Sequence, residues 1–163
     1  MYIYLLAQDL YTTHFNSSAM GEFLKKIPDT MTTGLDLAHY RLLGGYLDST
    51  SIAKECGIML DIRITCNSAA TRKTLAPKLA ALAQSIQDSK DEQILTFMVF
   101  ESFDDDISAR IYARFATRST MEQYLRRPDV QNFWMSTKEE IFRMESHAYL
   151  PNGKGWLHRG LKL

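Results

Sequence analysis

Cysteine is scarce in this 163-residue chain: only Cys56 and Cys66 are present, and neither sits in a CxxC pair or beside clustered histidines. That argues against a disulfide scaffold and against a structural zinc site. Net charge is absent as well. Nineteen basic side chains balance nineteen acidic ones, so no overall field draws nucleic acid or anionic lipid. No apolar run approaches the length that spans a bilayer. The start, Met1-Tyr2-Ile3-Tyr4-Leu5-Leu6-Ala7-Gln8, lacks the basic opening of a secretory signal. The expectation is a cytoplasmic protein with neither membrane nor nucleic-acid partners. A Gly-rich phosphate loop and a Ser-His-Asp order are also missing. Asp104-Asp105-Asp106 is the one acidic run. It lies between two strand-like segments and reads as a hairpin turn, since Asp favours turn conformations and no histidine accompanies it at ligand spacing. No metal site is expected.

What the chain does have is apolar patterning: 45% of residues are hydrophobic, enough for a packed core. Gly57 to Thr65 alternates apolar and mostly polar residues, the period-two signature of a half-buried strand. Leu75, Leu79, Leu82 and Ile86 follow at helical spacing. Ile94–Phe100 and Ile107–Phe115 flank the acidic turn as two more strands, and a helix pair leads to a last strand ending near Tyr149. The order βαββαβ over about 57–150 is the ferredoxin-like unit of an α+β fold. Helices on only one face of such a sheet leave the other face for a partner.

Residues 1–56 read as a partial unit, strand–helix–strand, and 57–163 as the complete domain with a C-terminal tail. Tyr2–Leu6 has strand composition, Phe15, Met20, Phe23 and Leu24 are spaced for a helix face, and Leu37–Leu43 suits a second strand. Sliding the chain by 110 residues aligns this segment, without a gap, with the second half of the complete unit. Tyr2 meets Tyr112, Phe23 meets Phe133, Ala38 meets Ala148, Gly45 meets Gly155 and Leu47 meets Leu157. Five identities in about fifty positions leave two readings open, a truncated first repeat and an unrelated extension.

The run Arg110 to Phe133, with Tyr124-Leu125-Arg126-Arg127-Pro128-Asp129-Val130-Gln131-Asn132-Phe133 at its end, resembles the third strand and second helix of the antibiotic-biosynthesis-monooxygenase-like domains. These belong to the dimeric α+β barrel superfamily. The hydrophobic frame and the proline are kept. Tyr124 stands where that family often has histidine, and Arg127 where it has serine or threonine. His14 and Ser17-Ser18 of the N-terminal segment carry the histidine and serine instead, without the proline. The tail Gly155-Trp156-Leu157-His158 resembles the aromatic ends of fungal members in natural-product pathways. The resemblance implies a homodimer that buries one sheet face and a mainly apolar pocket between the sheet and its helices. It also implies cofactor-independent tailoring of a hydrophobic, aromatic or polyketide-like metabolite, with monooxygenation as the first reading. A cyclase, isomerase or pericyclase using the same pocket is the alternative, and a non-catalytic binding or scaffold protein the third.

Candidate site residues follow from their chemistry. His147, in Glu145-Ser146-His147-Ala148-Tyr149, can move protons near neutral pH, and alternation places Tyr149 on its face. His39 and Tyr40 hold a similar place in the first segment. Arg110, Tyr112 and Arg114 share one face of a strand whose other face is Ile111, Ala113 and Phe115. The two arginines suit an enolate, phenolate or carboxylate, or else an exposed face laced with salt bridges. The expected catalytic set is His147 as base, Arg114 for the anion and Tyr112 as donor. Tyr124, Trp134, Tyr149 and Arg110 are expected to bind substrate, although Trp134, like Phe133, suits a core better than a site.

Overall fold

The computed structural model describes Thr13 and residues 16–30, 38–47 and 55–152. The chain forms two compact units, Met1–Leu37 and Ala38–Leu163. In the first, helix α1 (Ser18–Thr30) starts where the Ser17 hydroxyl accepts the Met20 amide at 3.2 Å. Met20 and Leu24 are half-buried, and Phe23 is exposed. The strand expected over Tyr2–Leu6, and Phe15, lie outside the described residues.

The second unit is a five-stranded antiparallel sheet. Its elements run β1 (Tyr40–Tyr46), β2 (Ile58–Cys66), α2 (Ala69–Asp88), β3 (Ile94–Ser102), β4 (Ser108–Phe115), α3 (Arg118–Leu125), α4 (Pro128–Thr137), a short 3-10 turn and β5 (Ile141–Tyr149). Spatial order is β1-β3-β4-β2-β5. Without β1 this is the βαββαβ arrangement read from the sequence, so the α+β, ferredoxin-like expectation holds. β1 adds a fifth strand beside β3. β1 is hydrogen-bonded to β3 and so belongs to the sheet of the larger unit. An offset of 110 residues carries α4 onto the start of α1, but carries β5 onto residues 31–39, short of β1.

Alternation on β2 and β4 decides which face is core. Ile58, Leu60, Ile62, Ile64 and Cys66 from β2, with Ala109, Ile111, Ala113 and Phe115 from β4, are all buried beneath the helices. From α2 they meet Leu75, Leu79, Leu82, Ala83 and Ile86, the residues whose spacing announced that helix. The α2 N-terminus is fixed by a reciprocal box: Ser68 accepts the Thr71 amide at 3.2 Å, and Thr71 accepts the Ser68 amide at 2.9 Å. Pro128 at the first turn of α4 holds Arg127 extended and separates α3 from α4. Burial of this set at about 25 cal/mol per Å² is the dominant favourable term of the fold. On β1, the pairing with β3 shifts between Leu42 and Gly44, and Gly45 takes a φ of 104°. A side chain there would collide with the Phe97 carbonyl, so only glycine passes the bulge without strain.

Asp129 ties α4 to α2. It accepts Arg127 Nε at 3.0 Å and Nη2 at 2.8 Å, the Ser85 hydroxyl at 2.7 Å and the Val130 amide at 3.0 Å. Arg127, the largest influence, with Ser85 and the Val130 amide, holds this carboxyl well below the usual carboxylate range. A depressed carboxyl contributes stability above its unfolded-state value of about 3.9 and loses it as the pH falls toward the folded-state value. Asp129→Asn is therefore expected to cost about 1 kcal/mol at neutral pH, the group being partly exposed. Urea melts of both proteins should converge as the pH is lowered from 5 through about 4 and below.

Candidate active site on the open sheet face

The sheet face opposite the helices gathers most of the chemistry-bearing residues in cross-strand rows. His147, Asp61, Tyr112 and Met98 stand opposite one another on β5, β2, β4 and β3. Beside them runs Glu145, Arg63, Arg110, Phe100 and Leu42, and on the other side Tyr149, Met59, Arg114 and Thr96. Period-two alternation alone produces this grouping once the other face is committed to the core.

Asp61 is the centre of it, and it is only 4% exposed. Arg110 grips its carboxylate with Nε at 2.6 Å and Nη2 at 2.9 Å, a two-pronged contact that suits a guanidinium. Arg63 Nε stands 3.8 Å away on the other side. The guanidinium carbon of Arg110 lies 5.4 Å from the centre of the Tyr40 ring, in cation–π position, and Tyr40 meets Phe100 edge-on at 6.2 Å. Asp61 holds the Arg110 charge firmly in place and raises its pKa further. Tyr112, half-buried, gives its hydroxyl to the Met59 sulfur at 3.4 Å, and burial pushes its phenol up. Tyr40, Phe100, Arg110 and Tyr112 line a shallow concavity of about 230 Å³. Tyr40 reaches it because β1 begins under a clasp. Asp104 accepts the His39 amide at 2.6 Å and contacts its ring nitrogen at 2.9 Å, and the Phe103 amide donates to the His39 carbonyl. The acidic run is thus a turn, as expected, with Asp105 accepting the amides of Ile107 and Ser108.

The seven expected site residues do not come together. Arg110, Tyr112, Arg114, His147 and Tyr149 share the open face. Arg114 is nearly buried there and donates to the Thr96 hydroxyl at 3.4 Å. His147 and Tyr149 are exposed on the edge strand with ring centres 6.2 Å apart, the pair that alternation implied. Tyr124 and Trp134 lie across the sheet on the helix side. Tyr124 is 1% exposed and wedged between Phe97 and Phe115, at 5.6 and 5.3 Å. Trp134 packs edge-on against Phe133 at 4.9 Å. The expected site is thus divided between the two faces of the sheet, with five of its residues on the open face and Tyr124 and Trp134 on the helix side. Asp61 and Phe100 went unnoticed in the sequence. Asp61 carried a signal, being the single acid in the β2 pattern on the side that alternation assigns away from the core.

The Tyr124 hydroxyl meets no hydrogen-bond partner among the described residues, and burial raises its pKa strongly. An orphaned buried hydroxyl costs about 1–3 kcal/mol. Tyr124→Phe is expected to leave the melting temperature unchanged or raise it, by up to about 1 kcal/mol in stability, and to leave ligand binding intact. A scanning-calorimetry melt checks the first part. A clear loss of stability would mean that the hydroxyl is bonded.

No protein-family model and no curated protein matches the sequence. Solved structures match the fold. A proposed monooxygenase of Fusobacterium nucleatum aligns over 93% of this chain and 70% of its own length, at 12% identity and a TM-score of 0.71. A proposed monooxygenase of Lactobacillus acidophilus aligns over 87% of this chain at 11% identity and a TM-score of 0.67; the present chain spans 63% of its length. A proposed antibiotic-biosynthesis monooxygenase of Deinococcus radiodurans aligns over 63% of this chain and 99% of its own, at 18% identity and a TM-score of 0.54. At these identities the likeness is one of fold alone, an α+β ferredoxin-like arrangement.

Proposed function

We propose that this chain is a cofactor-independent tailoring enzyme of secondary metabolism, most simply a monooxygenase, working as a homodimer on a hydrophobic aromatic or polyketide-like molecule. The observation that carries the reading is the concavity walled by Tyr40 and Phe100 with Arg110 and Tyr112 at its side. Flat aromatic walls favour a flat ring, and a phenol or enol oxygen on that ring finds donors on Arg110 and Tyr112. Two of the five N–H bonds of Arg110 go to Asp61 and a further side-chain hydrogen bond joins it to Tyr40, and the guanidinium keeps donors beyond these. His147 stands two strands from Tyr112, about 10 Å at ordinary strand spacing, the reach of a fused-ring substrate.

In this reading His147 takes a proton from the acidic carbon or hydroxyl of the substrate. The anion is held by Arg110 and Tyr112, with Arg114 adding positive charge from the next row. The electron-rich anion then reduces oxygen itself, which is why no cofactor is called for. The monooxygenase-like fold of the solved relatives supports the choice of reaction class.

The test is oxygen uptake with a panel of polycyclic phenols and enolisable ketones. His147→Ala is expected to cut turnover by about 10²–10⁴-fold with no change in melting temperature. Tyr112→Phe should lower it by about tenfold, the worth of one hydrogen bond to a developing anion. Product formed equally well under nitrogen would replace the oxygenase with a cyclase or isomerase in the same pocket. Binding without turnover would make the protein a carrier. Full activity in both variants would move the chemistry off this face.

A further inference from the structure

Beside the concavity lies a charged group that it does not use. Arg63 on β2 stands directly opposite Arg110 on β4, so two guanidinium groups occupy adjacent places on the open face. Like charges set opposite one another destabilise a ladder unless something negative lies between them. Asp61, the next residue of β2 on the same face, offers one carboxylate to both. Arg110 takes it with N–H bonds of 2.6 and 2.9 Å. Arg63 stands 3.8 Å away, too far for a hydrogen bond, and its side chain makes none with any described residue. On its other flank Glu145 lies opposite Arg63, but that carboxylate is paired with Arg143. Arg63 is thus fixed at its backbone in the middle of the sheet, with its side chain 56% exposed.

We infer that Arg63 and Arg110 form an anion subsite, and that the ligand of the open face carries a carboxylate beside its aromatic ring. This rests on the reading of the concavity as the ligand site, and it names the class of molecule that site takes. Two guanidinium groups and the single Asp61 carboxylate leave one positive charge over, which a monoanion balances. Each guanidinium presents a planar fork of donors that a carboxylate matches, and Arg110 keeps donors beyond those engaged with Asp61 and Tyr40. The position agrees. In the cross-strand row Arg63, Arg110, Phe100, the arginine pair adjoins the aromatic wall, with about 5 Å between neighbouring strands. A ring seated against Phe100 and Tyr40 therefore places a carboxylate on its near edge between the two arginines. Arg63 adds nothing to the core, and its role is to select acids over neutral rings of the same shape.

Calorimetric titration of the full chain with naphthol, hydroxynaphthoate and the neutral carboxamide of the latter tests this. The carboxylate is expected to bind about tenfold or more tighter than the other two at low salt, the worth of charge-assisted hydrogen bonds. Arg63→Gln should bring the three probes to near parity. It should leave the naphthol affinity and the melting temperature unchanged, because the side chain is exposed and bonds nothing in the free protein. Arg63→Lys, which keeps the charge without the fork, should retain part of the preference. Equal affinity for naphthol and hydroxynaphthoate in the unsubstituted protein would overturn the subsite and leave the aromatic site standing. So would an Arg63→Gln protein that keeps the preference; a fall in its mass by light scattering would then assign Arg63 to a contact between copies. Naphthyl phosphate binding more tightly than hydroxynaphthoate would overturn the carboxylate in favour of a phosphate. No binding by any probe, or affinities that ignore Phe100→Ala as well as Arg63→Gln, would overturn the concavity reading together with the subsite.

Discussion

Side chains on a strand alternate between two faces, and in β2 and β4 that alternation is nearly strict. Ile58, Leu60, Ile62 and Ile64 must go where water is excluded, so Met59, Asp61, Arg63 and Thr65 must go to the other side. β4 repeats the division with Ile111, Ala113 and Phe115 against Arg110, Tyr112 and Arg114. These two strands are neighbours in the middle of the sheet, so their polar halves fall beside one another. The helices cover one face with aliphatic and aromatic side chains, and the polar side chains of these strands fall on the other.

The Asp61–Arg110 contact is the clearest consequence. A carboxylate this deeply buried is stable only when paired and hydrogen-bonded, and removing one partner of such a pair typically costs about 3–5 kcal/mol. The same contact gives Arg110 a fixed direction, over Tyr40 and beside Tyr112, instead of the mobility of a free surface arginine. A pair that is weak evidence for stability in general is here a positioning device, because the geometry it imposes is what makes a concavity out of a flat face. Tyr40 needs its own support, and the His39–Asp104 clasp supplies it from the turn between β3 and β4.

One edge of the sheet departs from the minimal four-stranded unit. β1 extends it beside β3 and brings an aromatic wall to the site. β5 closes the other side with exposed apolar residues and with His147, so the proposed base sits at the margin of the molecule and not in its core.

The βαββαβ order, the turn at Asp104–Asp106, the core positions of α2 and the shared face of His147 and Tyr149 were legible from periodicity. Each is a local property: alternation, helical spacing and turn chemistry act within a dozen residues. The role of Tyr124 was not legible. A tyrosine at a helical core position looks the same in sequence whether its hydroxyl meets a ligand or nothing, and only the closeness of Phe97 and Phe115 shows that it is packed. Nor could local pattern place Tyr40 over Arg110, since that contact joins residues seventy positions apart through a strand pairing the sequence does not encode locally. Sequence by itself determined which residues must be buried and which must share a face, because burial and alternation follow from residue type and spacing. Which face holds the site, and which distant side chains meet there, was decided by the tertiary structure, because strand order and helix packing are set by the sum of long-range contacts and not by any one segment.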